Sequence, residues 1–592
     1  MGVKFIYWPL ALWLGTGHLK PILVYHPGVW QAQSLMLCIQ TWPQYKLVHT
    51  IDIEASPDCG GKLRLIAKIL GHVSELNGTL CPMTKTPQNI TVIGAGINGL
   101  VAANYMVRAG HRVTLLERSD RVGGACVSET VEVHGIQQDY ALGASTLGLM
   151  QDFVWRETGL ADRLQVWAPS HPDLVFFPGI EHPTRIYRDT SQLDRELADK
   201  WGEGGDLAAY RADEDRVVRF LQAGYRAGQP PSVEAAVAEL GADLTALWIT
   251  GSARTLLDHY LSAERTKLHL AMDVNESGPV SLSEPYSAFI IPIMSSGSVF
   301  GGYYGYVRGG IWQITRELGR INQELGVELV LSCTIHEVET KTGIVRYENS
   351  SGTQTHHSDH VVFATDPQTA ARLTGDSALI KHTTQERVLG TAGKLNLMFR
   401  NPVRWKHGGE NPESDSAFRY MFAVDTISAF ESATLAVVDG EVFSPGYFQV
   451  YCEGAAMRYM GLNEPYDRLA VFFKNLALGE TGEQLAEVEV EVREIVLSHV
   501  ANPEDCVWSR LLTPRDLQQT FGFPGGNIEH TMLVEGQSYF ERQYAADARR
   551  RFYQFGEHEN VSICGSSTYP CGSVAGTPGY MCVSELLRYM GQ

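Results

Sequence analysis

Ile90, Val92 and Ile93, with Thr91 between them, make a short β-branched run that opens directly into Gly94-Ala95-Gly96-Ile97-Asn98-Gly99. Such a run suits a strand buried on both faces. Leu100, Ala103 and Val107 then recur at helical spacing as far as Gly110-His111, and residues 112–116 form a second apolar strand that ends in Glu117. Strand, glycine turn, helix and strand in this order predict a βαβ unit and an α/β fold. Further along, the pattern predicts a helix over 312–325, strands within 327–340, a polar hairpin-like run at 349–359, and a strand from 361. Residues 391–399 alternate into another strand. The chain closes with a strand at 560–565 and a helix whose apolar stripe is Val583, Leu586, Leu587 and Met590, with Pro578 in its first turn. Residues 193–225 and 233–261 read as helices with mixed charged faces, expected to cap the site. Residues 285–306 are apolar but broken by Pro292, a poor membrane span that reads either as a tunnel wall or as ordinary core.

Each part of the first unit has a mechanical reason. Gly94 permits a tight turn, Gly96 lets the backbone approach a pyrophosphate, and Gly99 lets helix and strand pack closely; the helix start, with Asn98, faces the phosphates. Glu117 follows Gly99 by 18 residues, where a carboxylate can accept from both ribose hydroxyls and would repel a 2′-phosphate. Dinucleotide binding without preference for NADP is the expectation. The competing reading is a glycine-rich turn in an ordinary βαβ unit.

Composition narrows the class. Across 592 residues, 48 basic against 67 acidic side chains leave −19, which argues against a partner that tracks nucleic-acid phosphates. Ten cysteines without any C-x-x-C pair give neither a disulfide framework nor a zinc ribbon, so a reducing, cytoplasmic setting is expected. His356, His357, Asp359 and His360 fall in a polar turn without a second spaced ligand group, and no metal is expected. Residues 1–82 stand apart: they carry six basic and four acidic residues, and four of the eleven tryptophans. Their apolar run at 5–15 is interrupted by Pro9 and lacks a cleavage site, so it reads as an extension without catalytic role, with Met83 as a natural start.

Arg118-Ser119-Asp120-Arg121-Val122-Gly123-Gly124-Ala125 continues from the acid, and Asp139-Tyr140-Ala141-Leu142-Gly143-Ala144-Ser145 follows. Here the sequence resembles the FAD-dependent oxidoreductases that include amine oxidases, phytoene desaturases and Rab escort proteins. The resemblance implies that Arg118, Arg121, Gly123, Gly124 and Ala125 wrap the FAD diphosphate and ribose, and that Gly143 and Ala144 pass beside the flavin ring. It returns at Tyr306-Val307-Arg308-Gly309-Gly310, at Ile335 and Val338, whose backbone would meet the adenine, and at Val361 to Pro367. Gly565, Gly572, Val574 and Gly576 belong to an ending similar to that of the phytoene desaturase-like branch, which sets a helix N-terminus under the flavin. Cys571 and Ser573 stand where that ending usually has glycines. Cys571 reads either as a flavin attachment or redox thiol or as a packed side chain. The branch resembled most contains the pyridine nucleotide-disulphide oxidoreductase domain-containing proteins.

That resemblance implies an α/β fold with a discontinuous Rossmann-type FAD domain (88–165, 306–375 and 545–592) and an α+β substrate domain (166–305 and 376–544). It also implies removal of hydride from a substrate C–H to flavin N5, as desaturation or amine-type oxidation of a lipophilic small molecule. With no second nucleotide motif and no C-x-x-C, oxygen or a quinone is the expected acceptor; peripheral membrane contact would suit such a substrate. Lys394 resembles the family lysine that holds a water at N5, and competes with a strand-end surface lysine. His530 reads as an acid–base group or as a hydrogen-bonded structural residue. Two rivals stay open: a Rab escort-like binding protein without turnover, and a flavin-dependent saturase or isomerase.

Overall fold

The computed structural model describes residues 33–41, 44–53 and 86–591, apart from 231, 480 and 481. The expectations for the apolar run at 5–15 and for Met83 lie outside the described residues. Of the first 82 positions, an antiparallel hairpin, Gln33–Thr41 with Gln44–Ile53, is described. It belongs to a unit of its own, Met1–Lys85, separate from Thr86–Gln592.

In the larger unit five short strands form a wholly parallel sheet in the order Glu328–Val330, Arg112–Leu116, Asn89–Ile93, His360–Phe363, Val561–Ile563. Alternate side chains serve opposite faces. Ile90, Val92, Leu115 and Val362 point into one apolar cluster, whereas Ile93, Leu116, Val361 and Phe363 point into another. Burial of both faces is why these strands read as unbroken apolar runs.

On the first face lie three helices, Ile97–Arg108, Gln313–Glu324 and Thr577–Tyr589. Their approach is close: a Cβ on Gly579 would collide with the Asn98 carbonyl oxygen. Asn322 Nδ2 donates to Leu100 O at 2.8 Å, and its Oδ1 accepts from Asn104 Nδ2 at 2.8 Å, tying two of these helices together by buried polar contacts. The expected stripe on the last helix is present, with Val583 and Leu586 buried and Leu587 and Met590 partly so. The opposite face carries helix Pro367–Thr374 and the antiparallel sheet Thr334–Glu339, Ile344–Asn349, Gly352–His357.

A second sheet of seven strands runs Cys506–Leu512, Gly393–Phe399, Asp467–Phe473, Tyr447–Tyr451, Arg419–Phe422, Asp173–Phe176, Thr184–Ile186. Gly393–Phe399 is buried along its whole length between two antiparallel partners. Helix Gly482–Leu497 covers this sheet with Val488, Val492 and Val496, one residue per turn.

The stretches expected to cap the site resolve into the helices Thr190–Trp201, Leu207–Ala227, Val233–Leu240, Ala242–Trp248 and Ala253–Tyr260. Left-handed Gly202 ends the first and Asp206 caps the second through Ala209 N. None of them reaches the cavity described below, so the expected cap is not made by these helices. Within 285–306 the chain is mostly core: Ile290, Ile291 and Ile293 are buried, and only Met294 and Tyr304 face the cavity.

Candidate active site

The carboxyl ends of the parallel strands open into a cavity of about 720 Å³, inside the roughly 300–1,000 Å³ range of small-ligand sites. Gly94, Gly96, Asn98, Glu117 and Arg118 line one end. Gly94 has φ 103°, and its N–H donates to Leu116 O at 2.8 Å. A Cβ on Gly124 would lie 3.1 Å from Gly96 Cα, a tight approach, so the two backbone turns lie close together. Helix Ile97–Arg108 starts at Gly96 with no side-chain cap and no acid in its first turn. Its first N–H groups are left for an anionic ligand.

Glu117 does more than the sequence suggests. Its carboxylate accepts from Ala95 N at 2.7 Å and from Ser119 N at 2.8 Å, lashing the glycine turn to the end of the second strand. Each oxygen keeps acceptor capacity. Arg118 donates to Thr520 O at 3.2 Å, holding helix Pro514–Phe521 across this end of the cavity. Gly123, Gly124, Ala125, Gly143, Ala144 and Ile335 also line it. Gly99 packs under Gly94 and against Ala364, the close helix–strand approach expected of it, whereas Arg121 is exposed and Val338 lies in the core beneath the sheet, so neither of these two lines the cavity.

At the C-terminal stretch Val574 and Ser573 line the cavity, while Gly565, Gly572 and Gly576 shape the backbone behind them. Gly576 has φ 67° and begins the last helix. Ser573 adopts φ 65°, the left-handed region in which glycine is at ease; here a serine follows a glycine's path. Cys571 needs no such conformation, and its buried thiol is pushed well up by burial and by Glu529, which leaves it inert. Ser573→Gly is expected to stabilise the protein by about 1 kcal/mol through relief of that strain. Denaturant unfolding with flavin bound would show it as a higher midpoint.

Lys394 is buried, not a surface lysine. Its Nζ donates to Ala141 O and Gly143 O, both at 2.7 Å, and burial pushes its pKa down to about 8, with Glu453 opposing and Arg468 assisting. The far end of the cavity is aromatic and acidic. Tyr304, Tyr420, Tyr451 and Phe418 line it together with Asp273 and Glu276. Glu276 has a partner, Lys474, at 3.5 Å. Asp273 does not: burial first, then Glu276 and Glu214, drive its carboxyl well above the usual range. His530 reaches the cavity with φ 65°, its ring centred 4.8 Å from that of Phe523 and its Nδ1 without a partner. Burial lowers its pKa and Asp366 opposes this.

Residues 97–441 match the family model for flavin containing amine oxidoreductases. The chain belongs to that family. Among its relatives is the rat "pyridine nucleotide-disulfide oxidoreductase domain-containing protein 2", 23% identical over 571 residues, covering 86% of this chain and 97% of the relative. A 4,4'-diapophytoene desaturase of Staphylococcus aureus is 26% identical over 265 residues, 42% of this chain and 49% of the relative. Cyclohexylamine oxidase from Brevibacterium oxydans shares the fold with a TM-score of 0.52 at 15% identity, covering 86% of this chain and 100% of that one.

As a flavin-containing amine oxidoreductase the protein binds FAD and is an oxidoreductase. The residues present fit the cofactor. A Cβ on cavity-lining Gly96 would meet protein within 4 Å only at Gly124 Cα, 3.9 Å away, so its absence leaves space for a ligand, and Asn98 Oδ1 and Ser145 Oγ are buried without partners beside the cavity. Unpaired buried polar atoms are costly and point to a bound group. FAD held there supplies the acceptor for a substrate hydride. The chain's contribution is to bind, orient and exclude water, with Lys394 and the far-end carboxyl groups as its ionisable groups. Asp273, Glu276, Glu529 and the tyrosines escaped the sequence reading because no local motif joins them. One signal existed: Gln449 and Tyr451 fall two apart on an otherwise apolar strand, so one face of that strand carries polar groups.

Proposed function

We propose that this flavoprotein oxidises the C–H bond beside an amine nitrogen, on a substrate with an apolar or aromatic body. The observation that carries this reading is Asp273, a carboxyl opening onto the cavity whose charged neighbours are other carboxylates. An ammonium group would supply the missing counter-charge, and the surrounding rings of Tyr304, Tyr420, Tyr451 and Phe418 add cation–π attraction. A hydrocarbon would leave Asp273 a neutral acid, whereas an ammonium beside it would hold it ionised. Met272, Met294 and Phe472 also line the cavity and give the substrate body an apolar wall, which keeps the lipophilic character expected from the sequence while adding a charged anchor.

The chemistry balances simply. The C–H electron pair leaves as hydride, C=N forms, and the nitrogen's proton passes to a base in the cavity. Anaerobic mixing of the yellow holoprotein with a panel of amines and polyenes tests the reading: amines should bleach the flavin band and polyenes should not. Bleaching by a polyene alone would overturn it. Asp273→Asn is expected to weaken amine binding about 10- to 100-fold, the worth of one charged hydrogen bond, while flavin stays bound. Titrating the flavin absorbance with amine measures both.

A further inference from the structure

We propose that Glu529 is the group that takes up a proton from solvent when the bound cofactor is reduced. This rests on FAD occupying the cavity and is independent of the substrate read above. Glu529 is 2% exposed and its surviving surface lies on the cavity. Its Oε2 accepts from the N–H of Gly572, the residue before cavity-lining Ser573 and Val574. The contact fixes both partners: a Cβ on Gly572 would stand 2.7 Å from Glu529 Oε2 and 2.7 Å from Ser566 Cβ. Glycine is required there because the carboxyl occupies the space. The acid is also held from its own side, where Glu529 N donates to Asn527 Oδ1 at 2.8 Å and Asn527 Nδ2 donates to Ser277 O at 2.7 Å. Such anchoring keeps a titrating group at one position through turnover.

Charged and titratable groups face Glu529 from several directions. Lys474 and Arg542 favour its ionised form, and Glu276 opposes it. Cys571, next to Gly572, has its thiol raised by burial and by Glu529. Neither cation is committed to Glu529: Lys474 donates to Glu276 O at 2.9 Å, and Arg542 Nη1 donates to Ser567 O and Thr568 O, both at 3.1 Å. The balance leaves the carboxyl at about 7, burial being the largest cause. At neutral pH it is therefore divided between its two forms, and added negative charge nearby tips it to the acid.

The bookkeeping is closed. Hydride brings two electrons and one proton to the cofactor, leaving one extra negative charge in the cavity. Glu529 offsets that charge with one proton taken from water, and releases it when the acceptor removes the electrons. Spectroelectrochemical titration of the holoprotein with a chemical reductant, over a series of pH values spanning neutrality, tests this without substrate. The wild type should show a steeper dependence of midpoint potential on pH above about 7 than Glu529→Gln, the difference approaching one proton per two electrons as the pH rises past that value. Identical slopes would overturn the proposal. Should Glu529→Gln fail to hold flavin, the infrared difference spectrum of wild-type holoprotein decides alone. Reduction should produce a protonated-carboxyl stretch, and its absence would overturn the assignment. Loss of flavin from the variant alongside a positive infrared signal would leave the proposal standing, whereas a colourless wild type would refute the FAD reading on which it rests.

Discussion

Gly99→Ala is expected to yield protein without bound flavin and about 3 kcal/mol less stable, a large share of the 5–15 kcal/mol by which folds typically survive. A Cβ at this position would collide with the Gly94 carbonyl oxygen and stand 2.9 Å from Ala364 Cβ. The first obstacle is backbone and cannot rotate away. Nor can the turn retreat as a whole. Gly94 N is bonded to Leu116 O and Ala95 N to the Glu117 carboxylate, so displacement would break the links that hold the turn against the end of the neighbouring strand. Gly110→Ala is the matching control. Gly110 has φ 90° but nothing within 4 Å of its Cβ position, so alanine there should cost only the conformational penalty of about 1 kcal/mol and retain the cofactor. The flavin-to-protein absorbance ratio after purification, with unfolding midpoints, compares the two. Full flavin occupancy in Gly99→Ala would mean that the turn does not cradle the cofactor.

The contrast between these glycines also shows what a sequence makes legible. The cradle could be read because its parts are consecutive: turn, helix and acid fall within 94–117, and each residue type answers a local mechanical demand. Strands buried on both faces announce themselves for the same reason. The substrate end has no such continuity. Asp273 and Glu276 lie on the short 3-10 turn Met272–Ser277, Tyr420 and Tyr451 on two strands of the second sheet, and Glu529 in a loop next to the histidine that drew attention instead. Their meeting is decided by the packing of that sheet against residues 272–304, which leaves no periodic trace. The helices of 190–260 differ in the opposite way. Their mixed polar faces suggest a cap, yet their polar residues pair with one another, as in Arg211–Asp194 and Arg216–Asp213, or bond to segments outside the cavity lining, as Glu214 does with Ser295 and Gln222 with Ser296. Ser573 is intermediate: the sequence revealed the departure from glycine, and only the backbone angle shows that the chain keeps the glycine's path.

Lys394→Met is expected to slow substrate-driven bleaching of the flavin by about 100- to 1,000-fold near neutral pH, with flavin still bound. Lys394 fastens the 141–143 segment through two carbonyls, and that segment is packed so closely that a Cβ on Gly143 would collide with Ala125 O. Methionine keeps the volume but removes the donors and the charge. An ammonium carries three N–H groups, and the two used by Ala141 and Gly143 leave one for a water or substrate atom in the cavity that Lys394 lines. Because burial lowers its pKa to about 8, the wild-type rate should change across that value and the change should vanish in the variant. Stability gives an independent sign. The unfolded chain holds this proton up to its ordinary value of 10.5, whereas the native site loses it from about 8, so the unfolded state binds more protons in that interval and stability rises with pH there. Below about 8 both states are protonated and the contribution is flat. Lys394→Met should abolish the alkaline rise, and Lys394→Arg, which cannot deprotonate, should abolish it too while keeping the charge. The two variants therefore part company on rate: if charge at this point assists the reaction, arginine recovers activity that methionine does not. Equal rates in wild type and Lys394→Met would reduce Lys394 to a fastening for the 141–143 segment.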